Sequence, residues 1–130
     1  RAAVEDSVTE DDVLAFIQTS IKSVWALELL LSLKRERRLW TRQELVSTHR
    51  ASELVVARSL EALVAGGLAS FEDDGARYAP VNRDVETAVD RAEELYRTRP
   101  NAVRRAIVAA GTSSATAFAA AFKLRKGRDD

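Results

Sequence analysis

His49 is the only histidine in this chain, and there is no cysteine to act beside it. A nucleophile–base pair or a metal centre needs several such groups brought together, so one histidine inside "STHRAS" supplies neither. Aspartates and glutamates are plentiful, but they fall at helix caps and along helix faces. The glycines are isolated or paired, and none forms a phosphate-cradling loop. No constellation points to a reaction. The residues therefore imply no enzyme, no cofactor and no metal, and the chemistry left to consider is recognition by charge and shape.

The charge is patterned. Twenty basic side chains balance twenty acidic ones, yet they are unevenly spread. Residues 1–33 hold two basic and six acidic side chains, and residues 34–58 hold seven and three. Residues 59–99 hold five and nine, and residues 100–130 hold six and two. A neutral total lowers the expectation of a nucleic-acid partner, but two concentrated basic blocks restore it, because the local footprint is what matters.

Composition bounds the fold. With 46% hydrophobic and 31% charged residues, the chain reads as a globular domain with a core rather than a disordered one. Five glycines and two prolines argue against a loop-rich all-β fold, and abundant Ala, Leu, Glu and Arg favour helix. The absence of cysteine fits a reducing cytoplasm. The chain opens on Arg1, as a trimmed piece would, with no signal-peptide pattern. Its longest charge-free run, 106–122, is mostly alanine and broken by Gly111-Thr112-Ser113-Ser114, which is too polar for a membrane span.

Local signals order the elements. Thr9 precedes Glu10-Asp11-Asp12, an N-cap hydroxyl ahead of acidic first-turn residues, and predicts a helix to about Thr19. Ser20 or Ser23 restarts helix through "IKSVWALELLLSLKRER", apolar nearly all round and interrupted only by Glu28. This is the expected central core helix, with more apolar surface than one small domain covers. After the extended "LW" at 39–40, Thr41 and Glu44 form a capping box for a brief helix. Ser52 caps the next helix, whose Val56, Leu60 and Leu63 share one face, and Gly66-Gly67 ends it. Asp74-Gly75 is the turn signal of a β-hairpin between "LASFE" and "ARYAPV". Asp84 is the expected cap of a long amphipathic helix carrying Val85, Ala88, Val89, Ala92, Leu95 and Tyr96. Pro100 opens a further helix with Val103, Ala106, Ile107 and Ala110. A last helix bears Ala115, Phe118, Ala119 and Phe122.

Helix, short strand, helix, turn, helix, hairpin is the order of a winged helix-turn-helix. In "VVARSLEALVAGGLAS" the residues Val56, Arg58, Leu60, Leu63, Gly67 and Leu68 fall at the family's offsets. The segment resembles the winged-helix domains of MarR-like bacterial transcription regulators over roughly residues 20–82. The fold class expected is mainly α (α+β), a winged helix-turn-helix with a two-stranded hairpin and extra helices at both ends. The expected divisions are an N-terminal helix at 1–19, the winged domain at 20–82, a C-terminal helical dimerisation arm at 83–125 and a tail at 126–130.

The resemblance implies that residues 52–65 form a recognition helix in the major groove of double-stranded DNA. Ser52, Glu53, Val55 and Arg58 then reach the bases: Arg58 toward guanine, Glu53 toward cytosine, Val55 toward a thymine methyl. Arg42, Thr48 and Arg50 hold the phosphate backbone, and Arg77 is the cation near the hairpin tip. Against each stands a plainer reading. Arg58 pairs with Glu53 or Glu61 on a solvated helix, and Leu54 and Val55 form a protein contact. The acidic tip Glu72-Asp73-Asp74 repels phosphate, so the hairpin is not expected to enter the minor groove.

The apolar stripes on the C-terminal helices call for a partner, and the expected one is a second copy of the chain. Trp25, Leu95, Ile107, Phe118 and Phe122 are the expected dimer residues, although Trp25 is equally explained by packing. Two recognition helices in such a homodimer enter successive major grooves about 34 Å apart. A pocket between Trp25 and the C-terminal helices is a place for a small-molecule effector, which no residue pattern supports. The alternative to a DNA-binding regulator is a protein-interaction module with the same fold.

Overall fold

A polar side chain accepts from a first-turn amide at the start of each of the first five described helices, and these local choices set the architecture. The computed structural model describes residues 9–109. Thr9 and Asp12 form a reciprocal capping box at the start of α1 (Glu10–Ser20). Ser23 accepts from the Ala26 amide and starts α2 (Val24–Arg35), where Lys34 and Arg35 face the helix's negative end. Trp40–Thr41 is a two-residue strand, β1. Thr41 and Glu44 cap α3 (Arg42–His49), and Ser52 caps α4 (Glu53–Ala65). Then come β2 (Ala69–Glu72), β3 (Gly75–Tyr78) and α5 (Arg83–Thr98). The next helix, α6, runs from 100 to the last described residue at 109. The protein is mainly helical with a small antiparallel sheet.

Four details differ from the sequence expectation. The cap of α5 is Asn82, whose side chain accepts from the Val85 amide, and Asp84 lies inside the first turn. The sheet has three strands in the order β1-β3-β2, because Trp40 pairs with Ala76 and Thr41 with Gly75. The hairpin turn is Asp73-Asp74, with Glu72 opposite Gly75. Asp73 takes the left-handed conformation at φ 51°, which aspartate tolerates better than most residues. Gly75 sits in the strand because β1 passes so close: a Cβ there would stand 1.8 Å from the Trp40 carbonyl oxygen. Finally, α2 is covered by its own chain, with Ala26, Leu27, Leu29, Leu30, Leu31 and Leu33 all buried.

One hydrophobic core runs through the described residues. It joins Val13 and Ile17 of α1, the leucines of α2, Leu45, Val56, Leu60 and Leu63 of α3 and α4, and Trp40, Ala76 and Tyr78 of the sheet. Val89 and Ala92 of α5 and Val103 and Ile107 of α6 belong to it as well. Ile107 is thus spent on the chain's own core, and Leu95 is half buried against it. Of the expected dimer residues, Trp25 is 43% exposed; Phe118 and Phe122 lie outside the described residues. Among the described residues no single helix is long and apolar enough to cross a membrane.

Candidate nucleic-acid interface

The α3–turn–α4 segment is held from beneath. Leu45, Val56, Leu60 and Leu63 anchor both helices in the core. His49 ends α3, and its Nε2 lies 2.8 Å from the Ser32 hydroxyl of α2. Burial holds the His49 imidazole below its ordinary proton affinity, partly opposed by the charge of Glu28. Arg50 follows in the left-handed conformation (φ 53°, ψ 41°), which turns the chain sharply into α4. The Ser52 oxygen accepts from the Val55 amide at 3.1 Å, leaving its own proton free to donate outward.

With the core face fixed, the opposite face of α4 is determined. Glu53, Leu54, Arg58 and Glu61 are exposed, while Val55 and Ala57 are half buried. Leu54, at 60% exposure, is therefore the apolar side chain that α4 presents most openly, where Val55 was expected. Arg42 and Thr48 are exposed on α3. A groove of about 650 Å³ runs between the start of α3, the first turns of α4 and the hairpin turn, lined by Arg42, Gln43, Glu53, Leu54, Ala57 and Asp74. The backbone ties its two sides together, the Arg42 amide donating to the Asp74 carbonyl at 3.2 Å. Gln43 was not singled out in the sequence; only its place beside Arg42 in a capped first turn could have suggested it.

The basic block at 34–58 divides in two. Lys34 lies 3.2 Å from Asp90 and 2.7 Å from Glu93, and Arg35 lies 3.3 Å from Glu93. Arg37 approaches Glu86 at 3.9 Å and stacks over Tyr78. Arg38 pairs with Glu36 and Glu44 and lies over Trp40, its guanidinium carbon 4.1 Å from the ring centre. Hydrogen bonding to Lys34 holds the Glu93 carboxyl below the usual carboxylate range, and the same contact raises Lys34. By contrast, Arg42, Arg50 and Arg58 form no ion pair among the described residues. No salt link joins Arg58 to Glu53 or Glu61.

Arg77 fares differently. Its guanidinium is bound by both oxygens of Glu72, at 3.1 and 3.2 Å. Strand alternation puts Arg77 on the opposite sheet face from Ala76, the partner of Phe71. The expected cation of the hairpin tip is thus neutralised locally, and the exposed tip is acidic. No known family, curated protein or solved structure matches this chain. What the site does has to come from its geometry: three unpaired arginines around the capped N-terminal half of an exposed helix, with carboxylates at the groove's rim.

Proposed function

We propose that residues 20–82 are a winged helix-turn-helix, like that of the MarR-like regulators the sequence resembles, and that α4 enters the major groove of double-stranded DNA. The protein would act as a homodimeric transcription regulator. The observation that carries this reading is the unpaired state of Arg42, Arg50 and Arg58 at the open face of α3 and α4. An anion placed there gains from three uncommitted guanidinium groups, and from the amides at the start of α4. Arg58 and Glu53 are the exposed polar side chains of α4 suited to guanine and cytosine edges, and Leu54 the apolar one suited to a thymine methyl. The Glu72-Asp73-Asp74 tip keeps the hairpin out of close phosphate contact. Dimerisation is supported by Trp25 and by Val108, 60% exposed on α6.

Fluorescence anisotropy with a labelled random duplex, from low to physiological salt, tests the reading. Two cationic phosphate contacts per protomer, from Arg42 and Arg50, give a log–log salt slope of about −2 per protomer. Absence of binding even at low salt would overturn it. One observation favours a second reading: Leu54, 60% exposed, shares its groove with Glu53 and Asp74, which suits a basic protein partner. In that case Leu54→Asp abolishes partner binding, and Arg58→Ala does little.

A further inference from the structure

Residues of α2, α5 and α6 line a second, open groove of about 580 Å³, among them Glu28, Arg35, Asp90, Tyr96, Pro100 and Arg104. That volume lies within the range of small-molecule sites, roughly 300–1,000 Å³. Most charges around it are matched within the protein. Arg35 binds Glu93, Arg97 binds Glu94, and Asp90 faces Lys34. Glu28 and Arg104 are the exceptions, since neither forms an ion pair among the described residues.

Both contact one hydroxyl instead. Tyr96 donates to the Glu28 carboxylate at 2.5 Å and accepts from Arg104 Nη2 at 3.1 Å. The guanidinium of Arg104 also lies over the Tyr96 ring, 5.5 Å from its centre. An acid and a base are therefore held two hydrogen bonds apart without touching. Glu28 is half buried on α2, where a carboxylate lacking a cation is costly and gains most from one. Arg104 keeps most of its donors, in a planar fork that suits a carboxylate.

We propose that this groove binds a zwitterionic α-amino acid, its ammonium group on Glu28 and its carboxylate on Arg104. The two charges of such a ligand sit on neighbouring carbons, which matches an acid and a base separated by a single hydroxyl. The Tyr96 ring and Pro100 supply an apolar wall, which favours an aliphatic side chain. Glu28 is one helical turn before Ser32, whose hydroxyl meets His49 at the end of α3. The site itself does not rest on the DNA reading.

Isothermal titration calorimetry of the whole chain at neutral pH tests the site without DNA. The probes are L-valine, isovalerate (which lacks the ammonium group) and isobutylamine (which lacks the carboxylate). L-Valine is expected to saturate the protein, with each half-ligand at least about tenfold weaker, a loss of about 1.4 kcal/mol. Glu28→Gln should bring L-valine and isovalerate to the same affinity, and Arg104→Gln should do so for L-valine and isobutylamine. Circular dichroism confirms that both variants fold. The proposal is overturned if L-valine gives no saturable heat by about 10 mM, a very weak site on the usual scale. It is equally overturned if the three probes bind alike, or if the variants leave the preferences unchanged.

Discussion

Lys34 and Arg35 end α2, Arg37 and Arg38 follow it, and Arg42, Arg50 and Arg58 lie on α3, the turn after it and α4. In sequence they form one basic block, but in the fold they belong to two regions. Lys34, Arg35 and Arg37 meet carboxylates of α5 some fifty residues later and tie α5 to the end of α2 and the segment after it, while Arg38 meets Glu36 and Glu44. The other three meet none among the described residues and remain available to an anion. A run of like charge is thus only an upper limit on an electrostatic footprint. What reaches a partner is the charge that the fold has not already matched.

The comparison can be sharpened by substitution, beginning with the largest expected effect. Leu60, fully buried, and Leu54, 60% exposed, share α4. Leu60→Ala should cost about 2–5 kcal/mol in chemical denaturation, by lost transfer energy plus a cavity, and Leu54→Ala no more than about 0.5 kcal/mol. Equal losses would mean that α4 does not present the face described. Next in size is Gly75→Ala, which drives a methyl group into the Trp40 carbonyl. Displacing β1 should cost about 1–3 kcal/mol and change Trp40 fluorescence.

Lys34→Ala breaks a partly shielded pair with Asp90 and Glu93. Its cost should fall between exposed and buried ion pairs, about 1–2 kcal/mol. Arg42→Ala, with no pair to break, should stay within about 0.5 kcal/mol. If both cost the same, the division of the basic block is wrong. The smallest effect is electrostatic. The folded protein holds His49 below its ordinary pKa, so the unfolded chain binds that proton more readily. This contribution to stability is complete above about pH 6.5 and is lost as pH falls through the depressed value. Denaturation midpoints across that window should drop with acid in the parent protein and less in His49→Gln.

Much of this fold was legible because caps are local chemistry. Thr9, Ser23, Thr41 and Ser52 each announce a helix within three residues of its first turn, and the stripe of Val56, Leu60 and Leu63 gives the inner face of α4. The boundary of α5 was less distinct, since Asn82 and Asp84 are both good caps two residues apart and only the path of the chain selects the first. The pairing of β1 was hidden because two residues carry no strand period. Gly75 looked like half of a turn, whereas its role is to admit β1, a contact made across more than thirty positions. In the candidate interface, Arg42, Arg50 and Arg58 are exposed. Leu54 took the position given to Val55, because one residue on a helix turns the side chain by about 100°. The matching of Arg77 by Glu72, and of Lys34 by Asp90 and Glu93, depends on side chains that only the folded chain brings together.

The most direct test of this account measures two triple variants side by side. One replaces Arg42, Arg50 and Arg58 with alanine, and the other replaces Lys34, Arg35 and Arg37. Duplex-DNA affinity against salt concentration is read for both by anisotropy, at a temperature where each remains folded. The account predicts that the first variant loses the salt slope, by about 0.9 for each phosphate contact removed, while the second keeps the parent slope and only unfolds more easily. Loss of DNA binding in the second variant with retention in the first would contradict it.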